Sequence, residues 1–272
     1  MTRPTVLAAC VLFVLPVVVA GRRSDKPAPP KECFILHEMG VGQVRRNPST
    51  VCAERLTPAS TFKIPHALAA LDSGVLSGAD HVFKWDGQPR SFEAWRRDHT
   101  LASAMRYSVV WYFQRVAEKL GMAREREYLK RFDYGNQDPS SGLTTFWLGQ
   151  SLKISPDEEL HFLKRLYTDD LPVSKAAMTT VKQILVQPRG VVVNASGEHP
   201  FDEPWPDDAV VSAKTGAGTD AAGRSVRWLV GHVRRGSRAW LFVSAVTGGE
   251  ELPPMSAVDL AASALREHGV LR

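Results

Sequence analysis

Strand-like segments stand at the two ends of this chain and helix-like ones fill the middle, and that order restricts the available folds more than any other feature. Near the start, Glu32–His37 and Val41–Arg45 read as a hairpin joined near Met39-Gly40 and followed by a turn at Asn47-Pro48-Ser49. Near the end, Val191–Val193, Ala209–Thr215, Ser225–Arg234 and Arg238–Val246 are rich in apolar and β-branched residues, with a turn at Arg235-Gly236-Ser237. Between them, Phe62–Asp72, Leu101–Leu120, Ala123–Phe132, Pro156–Tyr167 and Lys175–Val186 carry apolar residues three and four apart, and Pro254–His268 repeats the pattern. Two strand groups so far apart bury their apolar faces by meeting in one antiparallel sheet, with helices flanking it. The expectation is an α/β (α+β) fold with a helical subdomain, roughly 77–188, inserted between the strand groups.

The first twenty residues do not belong to that pattern. Arg3 is their only charge, Val6 to Val19 is nearly all apolar, and Val18-Val19-Ala20-Gly21 supplies small residues where cleavage would fall. This is the layout of a secretory signal peptide over 1–20. A retained anchor is the alternative, but about 14 apolar residues fall short of the about 20 that a membrane span needs. Leu7-Ala8-Ala9-Cys10 has the look of a lipoprotein cleavage box, yet it precedes the apolar core instead of following it. Residues 21–31, with three prolines, read as a flexible tether, and 32–272 as a single domain, secreted to the periplasm and free of the membrane once mature.

Export changes how the cysteines read. With Cys10 lost in the leader, Cys33 and Cys52 remain as an even pair in an oxidising compartment, either disulfide-bonded or as two buried free thiols. The 34 Lys and Arg against 29 Asp and Glu are spread along the chain, so the formal charge of +5 implies no nucleic-acid partner. Eight scattered histidines with no His-Glu-x-x-His pattern give no expected metal site, and no obligatory protein partner is implied.

Chemistry enters at Pro58-Ala59-Ser60-Thr61-Phe62-Lys63-Ile64-Pro65. Ser60 and Lys63, three residues apart in a helical first turn, share one face, so the amine can approach the hydroxyl. A serine needs a base to become a nucleophile, and a lysine of ordinary pKa, about 10.4, is protonated at neutral pH. Burial among Phe62, Ile64, Val110 and Trp147 would disfavour the ammonium and free the amine. Such an amine is also nucleophilic enough to add carbon dioxide. Alone, Ser-x-x-Lys is weak evidence, and a helix cap followed by a solvated lysine is its default reading. Three further elements share the order: Ser108-Val109-Val110 ahead of a helix bearing Trp111, Tyr134-Gly135-Asn136 after a helix end, and Lys214-Thr215-Gly216 closing a strand.

Together with Phe146-Trp147-Leu148 and Tyr107-Ser108-Val109-Val110-Trp111-Tyr112, this set resembles the class D, oxacillinase-type serine beta-lactamases, from about Cys33 to the C-terminus. Tyr134-Gly135-Asn136 separates it from class A, which carries Ser-Asp-Asn and a separate glutamate base. The resemblance implies hydrolysis of the beta-lactam amide of penicillin-type antibiotics, and so resistance to them, on a penicillin-binding-protein-like fold. Its partner is the small-molecule substrate alone. No organic cofactor or metal is implied, only carbon dioxide held covalently as N6-carboxylysine at Lys63. Ser60 would form the acyl-enzyme and Lys63 would serve as general base. Trp147 would donate to the carbamate, Val110 would line the dry wall, and Ser108 would relay a proton to the lactam nitrogen. Lys214 would supply positive charge and Thr215 would bond the substrate carboxylate, with Gly216, Tyr134 and Asn136 at the substrate site. The backbone N–H groups of Ser60 and Ala217 would hold the oxyanion.

One departure stands out. The family commonly carries an arginine in a Leu-Pro-Leu-Arg stretch, where it pairs with the substrate carboxylate, and the matching segment here is Leu252-Pro253-Pro254-Met255. Arg224 or Arg227 would have to replace that charge. Ala217 also stands where many relatives have a bulkier side chain. Two rival functions share the same nucleophile: a penicillin-binding transpeptidase or carboxypeptidase, and a beta-lactam sensor that stays acylated. The first is expected to carry Ser-x-Asn where this chain has Ser108-Val109-Val110, and the second to carry membrane helices.

Overall fold

A computed structural model of the chain describes residues 29–47, 49–201, 204–249 and 251–272. The leader expected over 1–20, residues 21–28 of the tether and Pro48 of the early turn lie outside the described residues. The chain enters the sheet at Lys31–Glu38 (β1), so the last residue assigned to the tether is already a strand residue, and returns as Gly42–Asn47 (β2). A short helix at Ser49–Cys52 (α1) follows, bonded to β1 through a Cys33–Cys52 disulfide with Cα atoms 5.2 Å apart. The disulfide alternative is therefore the one realised.

A tight 3₁₀ turn, Ala59–Phe62, leads into Lys63–Asp72 (α2). The helical region continues through a two-residue pair of strands, Val82–Phe83 (β3) and His99–Thr100 (β4), to Leu101–Arg106 (α3) and Val110–Phe132 (α4). The single helix expected over Leu101–Leu120 is corrected here. It breaks at Tyr107–Val109 because Ser108 adopts a left-handed φ of 54°, which no helix accommodates. The expected boundary at Leu120 survives only as a kink at Gly121, whose φ of 75° lies inside α4.

Pro156–Tyr167 (α5) begins and ends where its pattern predicts, fixed by Pro156 in its first turn and by a capping box in which Ser155 and Glu158 satisfy each other's backbone N–H. Lys175–Ile184 (α6) closes the helical region, and a small hairpin follows, Val191–Asn194 (β5) with Gly197–Pro200 (β6). Three eleven-residue strands then run consecutively, Ala209–Thr219 (β7), Ser225–Arg235 (β8) and Arg238–Gly248 (β9), before Ser256–Glu267 (α7) ends the chain.

The large sheet has the order β2-β1-β9-β8-β7, antiparallel throughout, so the first strands of the chain do pair with the last. Both faces of this sheet are buried, which explains why Trp240–Val246 is apolar on both faces apart from the buried Ser244. Alternate residues of β9 serve opposite sides: Leu241, Val243 and Ala245 join the core shared with the helical region, whereas Trp240 and Phe242 join a second core under α7 and the β5–β6 hairpin. The same alternation runs along β8, with Trp228 and Val230 on one side and Leu229 and Val233 on the other. Strand β7 is left at an edge, and along that edge it meets the 3₁₀ turn carrying Ser60.

Candidate active site

Ser60 sits in the 3₁₀ turn and Lys63 opens α2, so the three-residue spacing brings the Lys63 Nζ to 2.7 Å from Ser60 Oγ. Ala59, immediately before the nucleophile, is held at a φ of 48°, a left-handed conformation that costs an ordinary residue about 1–3 kcal/mol. Ser108, on the facing turn, carries the same kind of strain. Both strained positions belong to the cleft between the sheet edge and the helical region, where tertiary packing supports them.

Lys63 is fully buried, its nitrogen 5.5 Å from the Phe113 ring centroid. Burial first, and then the charge of Lys214, hold its pKa well below that of an ordinary lysine. The expectation that an apolar cavity strips this amine of its proton is matched in cause. Phe113 also belongs to the surroundings, in the first turn of α4, where the Trp111-Tyr112-Phe113 run gives no signal that singles it out. Val110 only half-enters the interior at the first position of α4, and its neighbour Val109 is the one fully buried. Trp147 is wholly buried in contact with Phe62 at 5.8 Å, and its indole Nε1 has no hydrogen-bond partner. An orphaned donor in a dry interior is costly, and an indole N–H is a donor of the kind an anion would satisfy.

Across the cleft, the Lys214 Nζ donates to Ser108 Oγ at 2.9 Å and to the Thr215 carbonyl at 2.8 Å. Burial pulls Lys214 down to about 7, so its charge is itself adjustable near neutral pH. The glycine of Lys214-Thr215-Gly216 has a steric reason: a Cβ at Gly216 would lie 3.1 Å from the Pro58 carbonyl oxygen, Thr61 Cγ2 and Trp228 Cβ alike. The close passage of β7 along the nucleophile turn needs that missing atom. A cavity of about 520 Å³ opens between these elements, bordered by Ser60, Ser108, Thr215, Gly216, Ala217 and Arg227. It extends toward Phe92 and Trp95 on one side and toward the β5–β6 turn on the other, neither of which the sequence pattern marked.

Two residues expected at the substrate site stand back from the cavity. Tyr134 is completely buried, donates to Glu159 Oε2 at 2.8 Å and packs edge-on against Phe62. Asn136 bonds the backbone of Ser151 and Lys153. Neither borders the cavity, and Gly135 between them lies so close to Lys153 that a Cβ would meet its carbonyl oxygen at 2.0 Å. Tyr134-Gly135-Asn136 thus clamps the 133–155 segment, which bears Trp147, against the nucleophile helix. The motif is tied to the site through packing.

The two candidate cations part company. Arg224 is engaged by Asp220 at 2.9 Å and by Glu54 at 2.6 Å. Arg227 borders the cavity, opposite Ala217 in the β7–β8 register; among the described residues its hydrogen bonds go to the carbonyls of Val226 and Leu252, and Glu251 acts on its charge from a distance. Its Nε is buried without a partner. Among the described residues there is no group of three or more His, Cys, Asp or Glu arranged to hold a metal, and no helix long and apolar enough to cross a membrane.

The family model described as the penicillin binding protein transpeptidase domain matches residues 17–266. Beta-lactamase OXA-48 of Klebsiella pneumoniae is 40% identical over 185 residues, 68% of this chain and 63% of that protein, so this alignment spans slightly less than two thirds of that relative. Probable beta-lactamase YbxI of Bacillus subtilis (strain 168) is 34% identical over 238 residues, 88% of this chain and 81% of its own length. Among solved structures, class D beta-lactamase BAT-2 superposes with a TM-score of 0.76 at 35% identity, covering 89% of this chain and 93% of that one. A class D beta-lactamase from Bacillus subtilis gives a TM-score of 0.77 at 33% identity, with the same coverage.

Proposed function

The chain belongs to the class D beta-lactamases, enzymes that hydrolyse the beta-lactam amide, and on that premise we propose that it does so through a Ser60 acyl-enzyme with the Lys63 side chain as general base. The observation that carries this reading is the 2.7 Å approach of Lys63 Nζ to Ser60 Oγ inside a site that disfavours the ammonium. Ser60 Oγ attacks the lactam carbonyl carbon while its proton passes to the Lys63 side chain. The carbonyl oxygen, now anionic, is received by the backbone N–H groups of Ser60 and Ala217. As the C–N bond breaks, Ser108 gives its hydroxyl proton to the lactam nitrogen and is reprotonated from Lys214, 2.9 Å away. Lys63 gives up the proton it took from Ser60, and Lys214 is recharged by one through solvent, so both are reset. A water then attacks the ester carbon and yields a proton to Lys63, and Lys63 passes that proton to Ser60 Oγ as the C–O bond breaks.

Carbon dioxide carried on the Lys63 nitrogen would supply an anionic base in place of a neutral amine. The residues fit it: Lys63 is driven toward its nucleophilic neutral form, and the partnerless Trp147 N–H is a donor of the right kind. Thr215 and Arg227 are the groups for the substrate carboxylate, and Gly216 lets the strand bearing them pass close to Ser60. The apolar leader, with no membrane-crossing helix among the described residues, supports an exported enzyme acting in the periplasm.

The test is penicillin turnover by the purified mature protein. Steady hydrolysis is expected, lost by about 1,000-fold or more in Lys63→Ala, with the parent's rate at low pH restored by added bicarbonate. A single stoichiometric acylation with no turnover would instead identify a sensor. Parental turnover in Lys63→Ala would remove the base assignment.

A further inference from the structure

One turn beyond Lys63 lies a buried pair that no step above uses. His66, on α2, is fully buried and lies 2.7 Å through Nε2 from Oε1 of Glu125, on α4, whose side chain is equally hidden. A carboxylate only accepts, so Nε2 carries the hydrogen, which fixes both the tautomer and the rotation of the ring. Removing an imidazole and a carboxylate from water together is expensive, and an apolar pair of similar volume is commonly no worse for stability. The arrangement therefore calls for a role other than cohesion.

The neighbours of the ring indicate that role. His66 meets Trp147 edge-on with centroids 5.2 Å apart, Phe62 at 5.1 Å and Phe113 at 5.8 Å. Phe113 is the ring 5.5 Å from Lys63 Nζ, and Trp147 carries the orphaned indole N–H. His66 is thus the common support of two rings that surround the Lys63 site. Its remaining nitrogen, Nδ1, is buried without a partner, so Glu125 supplies its only polar anchor.

We infer that His66, oriented by Glu125, is a positioning residue that holds the Trp147 indole and the Phe113 ring in place around Lys63 and thereby sets how tightly the lysine retains carbon dioxide. The inference rests on the carbamate reading above. In that reaction the neutral amine lone pair forms an N–C bond to carbon dioxide, one N–H proton leaves to water, and the resulting anion survives only while the surrounding donors match it. A displaced indole raises the rate of return to amine and carbon dioxide without touching the substrate cavity, since neither His66 nor Glu125 borders it.

The experiment measures bicarbonate dependence in His66→Phe, which keeps a ring but loses the polar anchor, and in Glu125→Gln, which keeps an acceptor. The bicarbonate concentration for half-maximal penicillin turnover is expected to rise by about tenfold or more in H66F, by analogy with losing the outer partner of a metal ligand, and by less than threefold in E125Q. In both variants kcat should return to within about twofold of the parent at saturating bicarbonate, with KM unchanged. The ¹³C carbamate resonance from labelled bicarbonate should weaken in H66F at fixed concentration. A lower kcat that bicarbonate does not restore, with an undiminished resonance, overturns the inference in favour of a purely structural pair. If H66F does not fold, Glu125→Leu, which severs the same bond from the other side, must reproduce its shift, and an unshifted E125L overturns the inference. A parent that shows no carbamate resonance brings down the carbamate reading, and with it this one; a parent that shows it beside unshifted variants brings down this one alone.

Discussion

At the scale of single residues the site is defined by groups whose ordinary partners are missing. Among the described residues, Lys63 has no carboxylate bonded to it, the Trp147 indole has no acceptor, and Arg227 hydrogen-bonds to backbone carbonyls. Each leaves a place for something the substrate or the solvent brings. On the proposed function, Arg227 would take the anionic end of a beta-lactam. Arg227→Ala is expected to raise KM for a penicillin by about 10- to 100-fold, the worth of one charge-assisted hydrogen bond of about 1.5–3 kcal/mol, with kcat within about threefold. Steady-state kinetics on the purified variant decides it. An unchanged KM assigns the carboxylate to Thr215 and Lys214 alone. Arg224→Ala, removed from the cavity by Asp220 and Glu54, should leave KM where it is.

At the scale of elements, the decisive contact is the edge of β7 against the 3₁₀ turn, and Gly216 is where the two come nearest. Gly216→Ala presents a methyl to Pro58, Thr61 and Trp228 at once, and none of these is the loose end of a flexible chain. The variant should lose about 1–3 kcal/mol in chemical denaturation, in the range of overpacked cores, and 10-fold or more in kcat as the strand withdraws from Ser60. Stability lost without loss of kcat would mean that the strand edge does not place reacting groups. The helices and strands here were largely legible because capping, proline and alternating apolar residues are local signals: Ser155-Pro156 starts α5 where it should, and β8 and β9 carry their pairing in plain apolar runs. What escaped was long-range. Ser108's left-handed turn is imposed by packing and not by its own chemistry. For Tyr134-Gly135-Asn136 the resemblance implies a place at the substrate site, whereas the constraint on Gly135 is a backbone crossing at Lys153, which only the folded chain reveals. His66 and Glu125, 59 residues apart, become a pair only once α2 lies on α4.

At the scale of the whole molecule, the buried ionisable groups make stability depend on pH in opposed windows. Burial pushes Glu159 up to about 7 from an ordinary 4.5, with Tyr134 its single donor and Oε1 unpartnered. Between those values the unfolded chain has released a proton that the folded protein keeps, so raising the pH across this window costs stability, and the cost stays constant above about 7. Lys214, pulled down to about 7 from 10.5, behaves inversely: its cost is present below about 7 and is relieved as the pH rises from there toward 10.5. Glu159→Gln removes the first effect. Its stability relative to the parent should improve by about 3 kcal/mol between pH 5 and pH 8, read from urea titrations at both. A difference that does not change with pH would show that Glu159 is ionised and compensated.

The pairing of β1 with β9, from Lys31 opposite Thr247 to Glu38 opposite Trp240, bears on the order of events in biosynthesis. A nascent chain still short of Gly248 has no partner for its first long strand on that side, and the edge that braces the nucleophile turn emerges only with residues 209–219. Nothing resembling the finished site can assemble until residues 238–248 are available to β1, so the sheet edge beside Ser60 is completed by contacts of long sequence separation, which form late in folding.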